Sequence, residues 1–427
     1  MKLPSRKVLG WASYYWGNHA YQTCIITVFF PIFFKQYWFA GAPVTHSTFW
    51  LGTADSIANL VVVLTAPILG AIADRGGRKK RFLISSAFLG AIMSLALYFV
   101  AKNAWQWAVA LYVMGSIGYY WGNIFADSML VSVSEKDKFD MTSAIGYFAG
   151  YLGGGIFLAL GVAMSLKPEW FGIVDKSTAV RLICVLTAFW WLIFSLPLLL
   201  WVPETGIAPE SINLWSGARQ GFSQVVETFR HIRAYRPVFM FLIAYWVYID
   251  ALNTIIQMAV DYGKSIHFDD QTLIGAVLLV QFVGVPAALI FGKVGERIGA
   301  KNGILIGLSV YVVVCVFAAF MHESYEFFIL ATMVGLVQGG VQLLSRSYYA
   351  RLVPTERSGE FFGFYNMLGD SAAIIGPFLM GSVSRLTGNP RLSILSVIVL
   401  FVAGAWLLVR VDTRDAARGA PEAGSQG

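Results

Sequence analysis

Twelve consecutive residues, Gly70-Ala71-Ile72-Ala73-Asp74-Arg75-Gly76-Gly77-Arg78-Lys79-Lys80-Arg81, set five cations and one acid between two long apolar runs. Side chains of these types do electrostatic chemistry: a carboxylate favours the positive end of a helix, and guanidinium groups bind carbonyls and acids. An eroded copy, Gly292-Lys293-Val294-Gly295-Glu296-Arg297-Ile298-Gly299-Ala300-Lys301, lies in the second half of the chain. A second group of polar residues is scattered through the apolar runs. An acid at the centre of a membrane helix costs about 2.5–3.5 kcal/mol on insertion scales, so it faces a cavity or a partner. Tyr14, Asn18 and Gln22 recur every four residues and share one helical face, with His19 beside Asn18. Asp250, Asn253, Thr254, Gln257 and Asp261 fall in one sector of another run, and Gln338, Gln342 and Arg346 recur every four residues in a third. Asn366 with Asp370, Asn123 with Asp127, and Asp55 with Asn59 complete the set. These groups suit hydrogen bonding to a polar solute. The amides serve equally as glue between helices, worth ~0.6 kcal/mol each. His19 titrates in the range that lets a side chain carry a proton, and it also reads as a hydrogen-bonding residue among aromatics. No metal-ligand spacing, phosphate loop or nucleophile–base pair is found, so no enzyme, metal or cofactor is expected.

The elements that must hold these groups are membrane spans. Hydrophobic residues make up 57% of the 427 and charged ones only 13%, against about 25% charged in soluble domains. Twelve apolar segments reach the ~20 residues a spanning helix needs. They run over 10–34, 47–73, 81–101, 105–131, 142–165 and 180–202, then 237–262, 271–293, 302–321, 325–351, 360–386 and 391–411. An all-α membrane protein is predicted, with residues 1–202 as one six-helix half and 237–411 as the other. A cytoplasmic linker over 203–236 joins them, with an amphipathic helix around 214–232, and 412–427 forms a disordered tail. At ~1.5 Å per residue, Asn18 and His19 lie roughly 14 Å into span 1, Asp250 roughly 20 Å into span 7 and Asp370 roughly 15 Å into span 11. Cys24, Cys184 and Cys315 all sit in apolar runs and read as small buried hydrophobes. The basic N-terminus leads into an uncleaved first span. Of the 31 lysines and arginines, 23 fall in one set of alternate loops and 8 in the other, which places both termini in the cytoplasm. That bias accounts for the net charge of +7 as topology, so nucleic acid is not an expected partner. Tyr14-Tyr15-Trp16-Gly17-Asn18 in span 1 recurs letter for letter as Tyr119-Tyr120-Trp121-Gly122-Asn123 in span 4.

The spacing Gly70-x-x-x-Asp74-Arg75-x-Gly77-Arg78-Lys79-Lys80 resembles the signature loop between helices 2 and 3 of the major facilitator superfamily. Three further stretches narrow the resemblance to the autophagy-related vacuolar effluxer family and its bacterial branch, the unknown major facilitator family. They are 14–21 with Phe29-Phe30-Pro31, 146–154, and 339–347 continuing through Arg351-Leu352-Val353-Pro354 to 360–366. Tyr15 and His19 depart from the family's opening motif, which has Asp and Ser at those places. If the family's acid couples protons, that role is vacant here or has moved, with His19 and Asp250 as the candidates. The resemblance implies the major facilitator fold: twelve transmembrane helices in two pseudo-symmetric six-helix halves, with spans 1, 4, 7 and 10 lining a central cavity. Expected cavity and substrate-binding residues are Tyr14, Asn18, His19, Gln22, Asn123, Asp250, Asn253, Gln257, Gln338, Gln342, Asn366 and Asp370. Expected residues of a conformational latch are Gly70, Asp74, Arg75, Gly77, Arg78, Glu296 and Arg297. In that latch Asp74 meets the start of span 11 near residues 358–360, and by symmetry Glu296 meets the start of span 5 near Thr142. The implied function is secondary active or facilitative transport of a small polar solute by alternating access. Amino acids are a hint from the fungal relatives, and protons are the candidate coupling ion. A transporter-like sensor or lipid-handling scaffold without solute flux is the alternative. The chain is expected to work as a monomer in a bacterial inner membrane.

Overall fold

A chain inside lipid finds no water for its N–H and C=O groups, so it satisfies them along each helix. Among the described residues of this computed structural model, 4–41, 44–204, 236–266, 268, 270–372 and 375–411, every regular element is helical. The amphipathic helix expected over 214–232 and the tail from 412 lie outside those residues. In chain order the first half holds α1 (Arg6–Ala20), α2 (Val44–Gly76), α3 (Lys79–Ala96), α4 (Trp105–Ser128), α5 (Phe139–Leu166) and α6 (Lys176–Trp201). The second holds α7 (Arg236–Ser265), α8 (Asp270–Ile298), α9 (Ala300–Phe320), α10 (Ser324–Leu352), α11 (Ser358–Ser371), α12 (Ile375–Thr387), α13 (Pro390–Ser396) and α14 (Ile398–Val409). Among the described residues nine helices are long and apolar enough to cross a membrane. The rods at the places of spans 1, 4 and 11 fall outside that nine. The first is rewound, the second is diluted by Tyr119-Tyr120-Trp121-Gly122-Asn123, and the third is broken between α11 and α12. All three are helical, so the order of rods agrees with twelve spans.

Past Ala20 the first rod continues through 21–38, mostly with a five-residue hydrogen-bond repeat in place of four: Phe30 N–H donates to Ile25 O, and Phe39 N–H to Phe34 O at 2.8 Å. Such wider turns favour functional sites because they shift the face a helix presents.

The two halves repeat each other at their loops. Gly77 (φ 55°) and Gly299 (φ 84°) both turn in the left-handed region that suits glycine. Just beyond them, Lys80 Nζ donates to Leu199 O and Val202 O at 3.3 and 2.8 Å. Lys301 Nζ donates to Val409 O and Val411 O, both at 2.8 Å. In each half, therefore, the loop lysine satisfies the orphan carbonyls at the end of the last helix.

The halves press together at the end that carries these basic loops. An added Cβ at Gly70 on α2 would lie 2.1 Å from Gly359 O on α11, and one at Gly363 would lie 2.7 Å from Ala66 O. An added Cβ at Gly292 on α8 would lie 2.5 Å from the Ala144 Cβ on α5. Toward the opposite end contact thins. Among the described residues a Cβ at Gly155 would meet only Phe282, at 3.9 Å, and one at Gly52 would meet nothing within 4 Å.

Candidate functional site

Three acids of the first half, Asp74, Asp127 and Asp140, meet the second half at or above the basic end. Asp74, near the end of α2, accepts from the backbone N–H of Gly359 and Glu360 at 2.9 and 2.8 Å. Those are orphan donors of the first turn of α11, where the helix dipole favours negative charge. Lys79 pairs with the same carboxylate at 2.7 Å and donates to Ser358 Oγ at 2.6 Å, and that hydroxyl donates to Ser128 O. Gly77 makes the turn that brings Lys79 back over Asp74. Arg75 is exposed and Arg78 half-buried.

On the other flank the acid is Asp140, at the start of α5. It accepts two hydrogen bonds from Arg351, at 2.7 and 2.9 Å, and one from Ser347. Symmetry predicts Glu296 here. Glu296 and Arg297 are instead exposed, and among the described residues no hydrogen bond to Glu296 is made. The physical reason is close packing: an added Cβ at Gly295 would lie 2.8 Å from Asp140 Cγ, so the α5 acid already fills that place.

Between the flanks lies Asp127, on α4, paired at 2.8 Å with Arg346 of α10. Tyr15 Oη donates to the same carboxylate oxygen at 2.7 Å. The Arg346 guanidinium also donates to Ser143 Oγ and Ser143 O at 2.9 and 3.0 Å. The rings of Trp11, Tyr15 and Tyr147 stand 5.0, 4.9 and 4.7 Å from it, within cation–π range. Trp11 is itself fixed by an indole N–H bond to Ala126 O at 2.7 Å. Arg346 lies inside α10, buried, within the span 325–351 expected from the sequence. Its place at the end of the Gln338–Gln342 stripe was the available signal. Tyr147 and Arg351 lie in stretches that carry the family resemblance, but nothing in the sequence marks them, Asp140 or Ser143 as partners across the centre.

Directly above, the two copies of the five-residue repeat meet. Asn18 Nδ2 donates to Asn123 Oδ1 at 2.6 Å, fifth letter to fifth letter. His19 Nδ1 lies 3.1 Å from Asn18 Oδ1, and an added Cβ at Gly150 would lie 2.7 Å from the imidazole, which packs the ring against α5. Asn18 is buried, while His19 and Asn123 are half-buried. Tyr14 packs its hydroxyl into the space left by Gly122. Gln22 is exposed on the rewound part of the first rod, Gln338 and Gln342 are half-buried on α10, and Gln257 is exposed on α7. Asn366 donates back to Phe362 O at 3.0 Å within its own helix. The Asp370 and Asp261 side chains lie outside the described residues.

Asp250 has another task. Fully buried on α7, it accepts from the N–H groups of Ile375 and Gly376 at 3.0 and 2.7 Å. Those are the first N–H groups of α12. Three residues along α7, Asn253 Nδ2 donates to Gly369 O at the end of α11, at 3.3 Å. One turn of α7 therefore offers an acid to the positive end of one helix and an amide donor to the negative end of the other. The carboxylate that looked free for a solute is taken by the broken span.

Comparison with known proteins identifies the family to which such a bundle is similar. A family model described as vacuole effluxer Atg22 like matches residues 4–140 and 131–421. The chain is 35% identical, over 96% of each chain, to the uncharacterized MFS-type transporter YxiO of Bacillus subtilis. It is 22% identical to autophagy-related protein 22 of Eremothecium gossypii, over 93% of this chain and 89% of that one. Among solved structures, the human organic anion transporter MFSD10 superposes with a TM-score of 0.71 at 16% identity, covering 94% of this chain and 99% of that one. The major facilitator superfamily transporter FucP in the outward conformation gives 0.69 at 13% identity, covering 95% and 98%. At those identities the structural likeness is one of fold.

Proposed function

The chain belongs to the Atg22-like vacuole effluxer family within the major facilitator superfamily, and on that premise we propose that it is a secondary transporter of a small polar solute. As a family member it is an integral membrane permease. The observation that carries the finer reading is the set of contacts at one end, where Asp74, Asp127 and Asp140 hold the second half and close packing gives way toward the other end. Such an arrangement supports alternating access, with the halves rocking about a midplane site. The loop residues Gly70, Asp74, Gly77 and Lys79 act as the latch, on the cytoplasmic side of a bacterial inner membrane, in a monomer with both termini facing the cytoplasm. The solute site is the polar centre above the Asp127–Arg346 pair: Asn18, His19 and Asn123 from the first half, with Gln338, Gln342 and Gln257 from the second. Asp250 serves the fold of the broken span.

The test begins with a thermal-shift screen of purified protein against amino acids, short peptides, sugars and nucleosides. A ligand held only by the native state at 100 times its Kd adds about 2.7 kcal/mol. The hit is then measured as flux into proteoliposomes. Saturable flux that falls at least tenfold in Asn18→Ala is the expected result. Binding without flux above that of empty liposomes overturns transport in favour of sensing.

A further inference from the structure

One acid of the apolar runs, Asp55, has no task so far. Gly52, Asp55, Asn59, Val63, Ala66 and Gly70 recur every three or four residues along α2 and share one face. At the basic end that face meets the second half, where Gly70 lies against Gly359 and Ala66 against Gly363 of α11. At the other end, roughly 28 Å from Asp74 along the helix, the same face is open: Gly52 and Asp55 are exposed. The exposed apolar residues Ile57 and Leu64 stand on the opposite side of α2, so Asp55 faces the gap between the halves and not the lipid. Tyr112 on α4 donates its hydroxyl to one oxygen of the carboxylate at 2.7 Å. The Tyr112 ring is fixed in turn by stacking on Phe30 of the first rod, 4.1 Å away. Among the described residues no cation pairs with Asp55. One turn along the face, the side-chain oxygen of Asn59 is buried and accepts no hydrogen bond. A charged oxygen and an amide oxygen, neighbours on one face, therefore lack a donor.

The partner that fits them is an organic ammonium ion, which brings several N–H donors and the missing positive charge. A calcium-like ion needs six to eight oxygens, more than these two side chains hold. Tyr112 and Asn123 lie three turns apart on one face of α4, so Asp55 overlooks the polar centre from roughly 16 Å. That centre consists of amides and His19, and Arg346 beside it is already paired with Asp127. Of the groups named along this route, Asp55 is the one charge without a counter-ion. It draws cations toward the centre and repels anions. Resting on the transport reading above, we propose that Asp55 and Asn59 form a binding subsite for organic cations at the mouth of the solute path, and that the solute carries a protonated amine and a net positive charge. The carboxylate accepts one ammonium N–H, Asn59 turns its oxygen to another, and Tyr112 holds the carboxylate in place. A zwitterion gains little, because its own carboxylate is repelled where its ammonium is drawn.

The experiment measures Kd by isothermal titration of 1,4-diaminobutane, leucine and succinate into the full chain, held in nanodiscs of phosphatidylcholine, whose headgroup has no net charge. The diamine is expected to bind and succinate is not. Asp55→Asn should weaken the diamine at least tenfold and Asn59→Ala at least threefold, while Asp55→Glu, which keeps the charge, should stay within threefold of the wild type. Added salt should narrow the gap between wild type and Asp55→Asn, since an exposed charge is screened. Any leucine binding should change less than threefold in Asp55→Asn. A diamine Kd unchanged in Asp55→Asn overturns the subsite, as does a wild type that binds no diamine or prefers succinate. If Asp55 serves only to bond Tyr112, Asp55→Asn and Tyr112→Phe lower Tm alike and leave the diamine Kd where it was, which overturns it too. Diamine binding that depends on Asp55, without flux of any solute in proteoliposomes, upholds the subsite and removes transport. Flux of another solute without diamine binding does the reverse.

Discussion

Asp250 demonstrates what a buried acid says and does not say in a sequence. Its presence in an apolar run required a partner, and the run itself gave the depth. Whether that partner was a solute or a backbone depended on a break in a helix more than a hundred residues away, and nothing local to α7 records the break. The consequence is testable at this residue. Asp250→Asn keeps one acceptor oxygen for one of the two N–H donors but turns its NH2 group toward the other, leaving that buried donor unsatisfied at a cost of about 1–3 kcal/mol. A lowered Tm of the detergent-purified variant, with solute binding retained, is expected. Asn253→Ala, which removes the longer bond to Gly369 O, should lower Tm by less. Loss of solute binding in Asp250→Asn at unchanged Tm would return the acid to the solute site.

Helices were the most legible level of this chain, and the three rods least apolar by composition are the ones with the most to do. Spans 1 and 4 carry the repeated Tyr-Tyr-Trp-Gly-Asn because they meet each other through its last letter, and span 11 is broken where α7 stitches it. Apolarity finds helices that face lipid; helices that face the centre dilute that signal. The signature loop was legible for a different reason, since Gly70 is imposed by contact between helices and Gly77 by a positive φ. At Gly70 an added methyl would lie 2.1 Å from Gly359 O, a backbone atom that cannot turn aside. Gly70→Ala should therefore push α2 off α11. Overpacking of this kind costs about 1–3 kcal/mol, enough to shift the closed-to-open equilibrium by about 5–150-fold. The shift is to be read as faster labelling of a cysteine placed at Ala144, between α5 and α8, by a water-soluble thiol reagent. Gly52→Ala, whose added methyl meets nothing within 4 Å among the described residues, should label at the wild-type rate. Equal rates in all three proteins would mean that the α2–α11 contact does not gate this end.

For the molecule as a whole the question is whether its halves move as bodies. Asp74 and Asp140 hold opposite flanks, on α2 and α5. Among the described residues they share no hydrogen-bond or ion-pair partner, since one binds Lys79 and the first turn of α11 and the other binds Arg351 and Ser347 of α10. The sequence announced the first flank through its loop and led to Glu296 for the second. Pseudo-symmetry preserved the glycines and the capping lysines of the two loops but passed the acid from α8 to α5. If each half is rigid, both flanks must break in one step. The free energies by which Asp74→Ala and Asp140→Ala favour opening should then add in the double variant to within about 0.3–0.5 kcal/mol, as they do for sites without shared partners. The long-distance fraction between spin labels at Asp137→Cys and Thr355→Cys, exposed positions of opposite halves, supplies all three numbers under conditions where the wild type is mostly closed. A double variant no more open than the stronger single one would mean that one flank already parts without the other. The halves would then be hinged within themselves, at the Gly70–Gly359 crossing or at the break between α11 and α12, and the rigid-body description would give way to local gating.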